Sequence, residues 1–211
     1  MKAIDNQLIK ELHPLPPFLP ENARVLMLGS FPPPRVRWVM DFYYPNLQND
    51  MWRIFGIVFF KSKEYFLAED KKSYNEQRIR LFLKQKGIAL SDTAREVVRQ
   101  RGNASDQFLQ IVKTIPLKEV LEQLPHCCAI VTTGQKATDT LVEIIGIEPP
   151  KVGTFMEFTY AGRSLRLYRM PSSSRAYPKP LQEKAEVYQQ MFEEMGMCFT
   201  DPSASEHRNN S

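Results

Sequence analysis

Three short apolar runs, RVLMLGSF (Arg24–Phe31), IALSD (Ile88–Asp92) and CAIVTTG (Cys128–Gly134), each stop at a loop, and helical patterns lie between them. Near-continuous apolar runs of this length suit strands buried on both faces. Parallel strands cannot be joined by tight turns and need crossover connections, which the intervening helices supply. The alternation therefore predicts an α/β domain, a three-layer αβα sandwich around a central, largely parallel sheet of about four strands. With 211 residues, 43% of them hydrophobic, the chain can bury one substantial core.

The helical patterns carry their own boundaries. Met51, Phe55, Val58 and Phe59 fall on one face, with Asn49 or Asp50 placed to cap the start. NEQRIRLFLKQKG stops at Gly87, LKEVLEQLP precedes the CAIVTTG strand, and QKATDTLVEIIG stops at Gly146. FMEFTYAGRSLRLYRMPS reads as a hairpin, and KPLQEKAEVYQQMFEEMG as an amphipathic helix opened by proline. Residues 1–21, with HPLPPFLP, read as an extended proline-rich lead-in. Residues 22–198 form the domain, and residues 199–211 read as a disordered tail. Neither end is expected to carry chemistry.

Charge and cysteine content exclude several classes. Lys and Arg number 28 against 24 Asp and Glu, and the net charge of +4 does not by itself announce a nucleic-acid binder. Its distribution says more. Gly162 to Gln182 holds Arg163, Arg166, Arg169, Arg175 and Lys179 with no acid, and a second basic region runs from Arg78 to Arg101, which also fits solvated helix faces. Cys127, Cys128 and Cys198 show no CxxC spacing, so neither a disulfide framework nor a metal site is indicated, and a reducing cytoplasm fits. No apolar run approaches the roughly 18 residues of a spanning helix, and no signal core opens the chain. His13, His126 and His207 form no apparent triad or metal set, and TTGQKA lacks the spacing of a nucleotide-phosphate loop. No cofactor, metal or membrane partner is expected.

Ligands of open α/β sheets bind beyond the carboxyl ends of the strands. That rule selects the loops GSFPPP, LSDTA, TTGQKA and MPSSSRAYP. In order, GSFPPP…FYYPNLQNDMW, GIALSDTA…ASD, IVTTGQKA and MPSSSRAYP resemble the uracil-DNA glycosylase superfamily over roughly Arg24 to Gly196. GSFP, the Tyr43–Tyr44 pair, an asparagine two residues before Met51–Trp52, and GIALSD are similar to the branch that removes hypoxanthine from DNA. MPSSSRA is closer to the mismatch-specific thymine and uracil enzymes. The resemblance implies an αβα domain that flips a damaged base from double-stranded DNA and hydrolyses its N-glycosidic bond. Two positions depart from it. Phe31 stands where many members carry a water-positioning Asn or Asp, and Met170 stands where several carry His. By resemblance the catalytic role passes to Asn49.

Breaking an N-glycosidic bond develops positive charge on the sugar and negative charge on the base, so a site must stabilise both and position one water. Asn49 can hold that water or donate to the base; its other reading is a helix cap. Asp92, at a strand end, can orient water or face the sugar cation; its other reading is a cap for a helix starting near Thr93. Asp41 is a third carboxylate, with a surface role expected. Tyr44, with Tyr43, offers flat faces for stacking an extruded base, or else core packing, and Gly29, Ser30, Phe31 and Pro32 would complete the pocket. Trp38 reads equally as packing or as a DNA contact. Ser172, Ser173, Ser174, Arg175 and Lys179 suit phosphate contact, though a serine-rich turn explains the serines as well, and Arg175 or Tyr177 would fill the gap left by the base. Thr132, Thr133 and Gln135 would touch phosphate or cap the following helix. The expected protein is a monofunctional glycosylase acting as a monomer. A DNA-binding module without activity, or an enzyme of nucleosides or sugar phosphates, are the other readings.

Overall fold

The computed structural model describes residues 10–99 and 109–197. A short strand, β1 (Lys10–Leu12), precedes the first apolar run, which becomes β2 (Val25–Gly29) with every residue buried. Beyond a 3₁₀ turn at Arg35–Arg37 come α1 (Met51–Phe60), α2 (Glu76–Lys86), β3 (Ile88–Asp92), β4 (Ala94–Arg99) and β5 (Leu109–Thr114). Then follow α3 (Leu117–Glu122), β6 (Ala129–Thr133), α4 (Gln135–Ile145), the hairpin β7 (Thr154–Tyr160) and β8 (Arg163–Met170), and α5 (Leu181–Glu194).

The central sheet has the order β3-β2-β6-β8-β7. Its first four strands are parallel, and β7 adds an antiparallel edge through the hairpin. The αβα expectation of about four parallel strands holds, with one strand added. Period-two alternation assigns the two faces. Val25 and Met27 of β2, with Ile88, Leu90, Ala129 and Val131, pack toward α1, α2 and α5, while Leu26, Leu28, Ala89 and Ile130 pack toward α3 and α4. The first face is aromatic: Phe55 meets Phe59, Phe82 and Phe192 edge-on at 5.5 to 5.9 Å. Each such ring, fully buried, contributes roughly 1.5–3 kcal/mol.

Helix ends follow local chemistry. Asn75 Oδ1 accepts the Arg78 N–H at 2.9 Å to open α2, and Gly87 closes it in the left-handed region at φ 66°. Gly56, inside α1, has a packing reason: a Cβ there would lie 2.3 Å from the Ser62 carbonyl oxygen, where the chain folds back on the helix.

One expectation is corrected. No helix starts near Thr93. The chain continues as β4, because Thr93 and Ala94 donate to the carbonyls of Gly29 and Ser30 at 2.8 and 3.1 Å, and Val97 and Val98 are buried in a second, antiparallel sheet of order β1-β4-β5. The described part of the proline-rich lead-in packs onto these two sheets. β1 pairs with β4, and Phe18 exchanges backbone hydrogen bonds with Leu90 at 2.9 Å. The tail expected at 199–211 lies outside the described residues. Among the described residues no helix is long and apolar enough to cross a membrane.

Candidate active site

The carboxyl ends of β2, β3, β6 and β8 open onto a cavity of about 640 Å³. A second cavity, about 520 Å³, lies at the opposite edge, where Val25, Ala129 and Leu165 stand near the starts of their strands. The first gathers nearly all the predicted residues, at the strand ends where ligands of open α/β sheets bind, and the second gathers none.

Its floor is the β2–β3 pair. Gly29 stands in register with Asp92, and a Cβ on Gly29 would lie 2.5 Å from Asp92 Oδ1, so only glycine leaves room for that carboxylate. Asp92 is 6% exposed, and its Oδ2 accepts a hydrogen bond from His13 Nε2 at 2.8 Å. The imidazole is enclosed, edge-on to Phe31 at 5.2 Å and tilted against Tyr43 at 6.0 Å. Phe31 is buried in a small cluster with Ala94, Val97 and Leu109 while still lining the cavity. Ser30 and Pro32 line it as well.

The two tyrosines divide their work. Tyr43 is buried, and its hydroxyl donates to the Pro16 carbonyl at 3.0 Å, bracing the wall from behind. Tyr44 is half-buried, sits at φ 51°, and shares a hydrogen bond with Thr133 Oγ1 at 3.1 Å. A non-glycine residue held there carries roughly 1–3 kcal/mol of backbone strain, which the Thr133 bond and an edge contact with Trp52 at 5.9 Å offset. Burial first, then the Asp92 charge, push both phenols well above their ordinary value, so both stay neutral.

Asn49 lies on the rim, and its Oδ1 accepts the Met51 N–H at 2.9 Å, a turn closed two residues on, while Asp50 takes the cap position of α1. Asn49 Nδ2 makes no hydrogen bond among the described residues. Asp50, the neighbour, is 5% exposed and makes a clasp. Its carboxylate meets Arg175 Nε at 3.1 Å, Arg53 at 3.5 Å and Lys184 at 3.5 Å, and its N–H donates to the Ser173 carbonyl at 2.7 Å. Lys184 also donates to the Ser174 carbonyl at 2.8 Å; burial pushes its ammonium down, and Asp50 partly restores it.

The serine loop shapes itself. Ser172 Oγ accepts the Ser174 N–H, and Ser174 Oγ accepts the Ala176 N–H, each at 3.2 Å. Ser173 is buried, Arg175 is held back on Asp50, and Tyr177 stands at the rim. Gln135 accepts from Arg169 and donates to Asp139, while Gly134, not a threonine, occupies the cap of α4. Thr132 is in the core, bonded to Thr138 at 2.8 Å. Lys179 lies outside the cavity, paired with Glu183 at 3.2 Å. Asp41 is exposed and paired with Arg35, which also stacks on Trp38 at 4.4 Å.

Sequence reading passed over His13, Asp50 and Lys184 as site residues, together with Arg37 and Lys136 on the rim. For Lys184 a signal existed: it falls on the apolar stripe of α5 with Tyr188 and Met191. For His13 there was none.

No family model matches the chain, and no curated protein matches it in sequence. In structure it is similar to the solution NMR structure of a proposed uracil DNA glycosylase from Methanosarcina acetivorans, with 24% identity, 83% of this chain and 95% of that one covered, and a TM-score of 0.53. At that identity the likeness shows a shared αβα fold.

Proposed function

We propose that the chain is a monofunctional DNA glycosylase of base-excision repair. It hydrolyses the N-glycosidic bond of a flipped, deaminated base, with hypoxanthine the first choice and uracil the second. The observation that carries the reading is the meeting, in one cavity, of a carboxylate, a carboxamide N–H without a partner among the described residues and a half-buried tyrosine, under a rim that holds Arg37, Lys136 and the serine loop. The neighbouring fold, in a protein proposed to be a uracil DNA glycosylase, supports it.

In this reading Tyr44 stacks on the extruded base and Asn49 Nδ2 donates to its developing negative charge. Asn49 Oδ1 is engaged with the Met51 N–H, so the water falls to Asp92, whose Oδ1 orients it toward C1′ and balances the sugar cation. The C1′–N bond breaks with its electron pair on the base. The water oxygen bonds C1′, and the proton it loses ends on the base, leaving an abasic site. This chemistry needs no metal or cofactor. The protein acts as a monomer on double-stranded DNA, in the cytoplasm, with Ser172, Ser174 and the rim cations meeting phosphates.

The test is a panel of duplexes carrying hypoxanthine, uracil, xanthine or a thymine mismatch, incubated with wild type and with Asn49→Ala. Abasic product is expected from the wild type, and a loss of roughly 100-fold from the variant at unchanged duplex affinity. Duplexes that are bound and never cleaved to abasic sites would mark a DNA-binding module instead.

A further inference from the structure

We propose that His13 is a positioning residue of this site, and that the amino-terminal strand delivering it completes the site from behind. The inference rests on the glycosylase reading for what Asp92 does, and its test separates the two.

His13 and Asp92 are 79 residues apart, and the contact is built rather than incidental. β1 pairs Leu12 with Glu96, the His13 N–H donates to the Arg95 carbonyl at 2.8 Å, and Arg95 returns a bond to the Leu15 carbonyl at 3.0 Å. These fix the backbone on both sides of the imidazole. Its Nδ1 lies 3.1 Å from the Leu15 amide nitrogen, which donates to it. A neutral ring accepting at Nδ1 carries its proton on Nε2, directed at Asp92 Oδ2. The Leu15 carbonyl, 2.9 Å from the same Nδ1, would accept a hydrogen bond from the Nδ1–H of the charged ring. In both states Nε2 is a donor to Asp92.

The consequence is a carboxylate with two unlike oxygens. Oδ2 is occupied by His13, whereas Oδ1 lies over Gly29 beside the cavity and has no donor among the described residues. A carboxylate free to rotate would present either oxygen at varying angles; one pinned at Oδ2 presents a single acceptor in one place. Catalysis depends on such placement, and a misplacement of about 1 Å can lower a rate by roughly 100-fold. A histidine buried only for packing would have no need to seek the one carboxylate that lines the cavity among the described residues.

The test compares wild type with His13→Phe, which keeps a planar aromatic ring and removes the donor, and His13→Gln, whose Nε2 amide restores one. Two duplexes serve as probes, one with a cationic pyrrolidine in place of the target sugar and one with a neutral tetrahydrofuran. The wild type should favour the cationic duplex by about 100-fold or more, as expected for a mimic of the sugar cation. His13→Phe should lose most of that preference while its affinity for the neutral duplex and its cooperative unfolding stay unchanged, and His13→Gln should regain it. Single-turnover excision should fall and recover in parallel. An unchanged preference in folded His13→Phe overturns the proposal, as does an equal loss on both duplexes. If the wild type excises no base but shows the His13-dependent preference, the glycosylase reading fails and the positioning role stands.

Discussion

Two buried carboxylates flank the cavity, Asp50 at 5% exposure and Asp92 at 6%, and their surroundings could hardly differ more. Asp50 is surrounded by Arg53, Arg175 and Lys184, all within 3.5 Å. It ties the start of α1 to the serine loop and to α5. Asp92 has one side-chain partner among the described residues, His13, and keeps an oxygen for the cavity. Burial alone therefore does not mark a reactive group. A carboxylate saturated by cations and backbone is a fastening, and one held at a single oxygen remains able to act.

That contrast can be broken at either end. Asp50→Ala strands Lys184, 1% exposed, without its counter-charge, and removing one member of a buried ion pair typically costs about 3–5 kcal/mol. Thermal or denaturant unfolding should show this loss, with excision declining only as the folded fraction does. Asp92→Asn should do the reverse. Its Oδ1 can still accept from His13, so stability should hold within about 1 kcal/mol while single-turnover excision drops roughly 100-fold, near 2.7 kcal/mol in barrier. Equal stability losses in the two variants would erase the distinction between fastening and reactive group.

A finer test leaves both carboxylates in place. Gly29→Ala drives a methyl to 2.5 Å from Asp92 Oδ1, and overpacking of this kind typically costs about 1–3 kcal/mol. Excision should suffer through displacement of Asp92. The Asp50 clasp should be untouched, so Asp50→Ala and Gly29→Ala should add in unfolding experiments.

The smallest effect lies in alkaline solution. Tyr74 hydrogen-bonds the Asn49 carbonyl beside the clasp, and burial pushes its phenol up to about 12 from 10.0. A raised folded value means the contribution is complete below pH 10 and is lost as pH climbs toward 12, at about 1.4 kcal/mol per unit. Tyr43 and Tyr44, beside Asp92, shift the same way. Unfolding free energy measured between pH 8 and 11 should fall above pH 10. Tyr74→Phe should flatten that slope without removing it, since the phenols beside Asp92 still titrate.

The main frame was legible because its signals are local. IALSD became β3 with its predicted ends, and Gly87 and Gly146 stopped their helices. β4 was not legible: AREVVR interleaves charges with valines, and its partners β1 and β5 make it a strand. Asn49 and Asp50 both looked like caps; Asp50 takes the cap position of α1 without a side-chain capping bond, and Asn49 closes on the Met51 N–H two residues on. No local pattern could show that Arg175, 125 residues later, would close on Asp50.

By itself, then, the order of apolar runs and helical stripes determined an αβα frame and the sheet edge where a ligand would lie. Periodicity of two and 3.6 decides which face each residue presents, and those faces decide the layers. Only the tertiary structure decided which polar groups at that edge are spent and which are open. Hydrogen-bond partners come from wherever the folded chain brings a donor, and for Asp92 that was a histidine from the proline-rich lead-in.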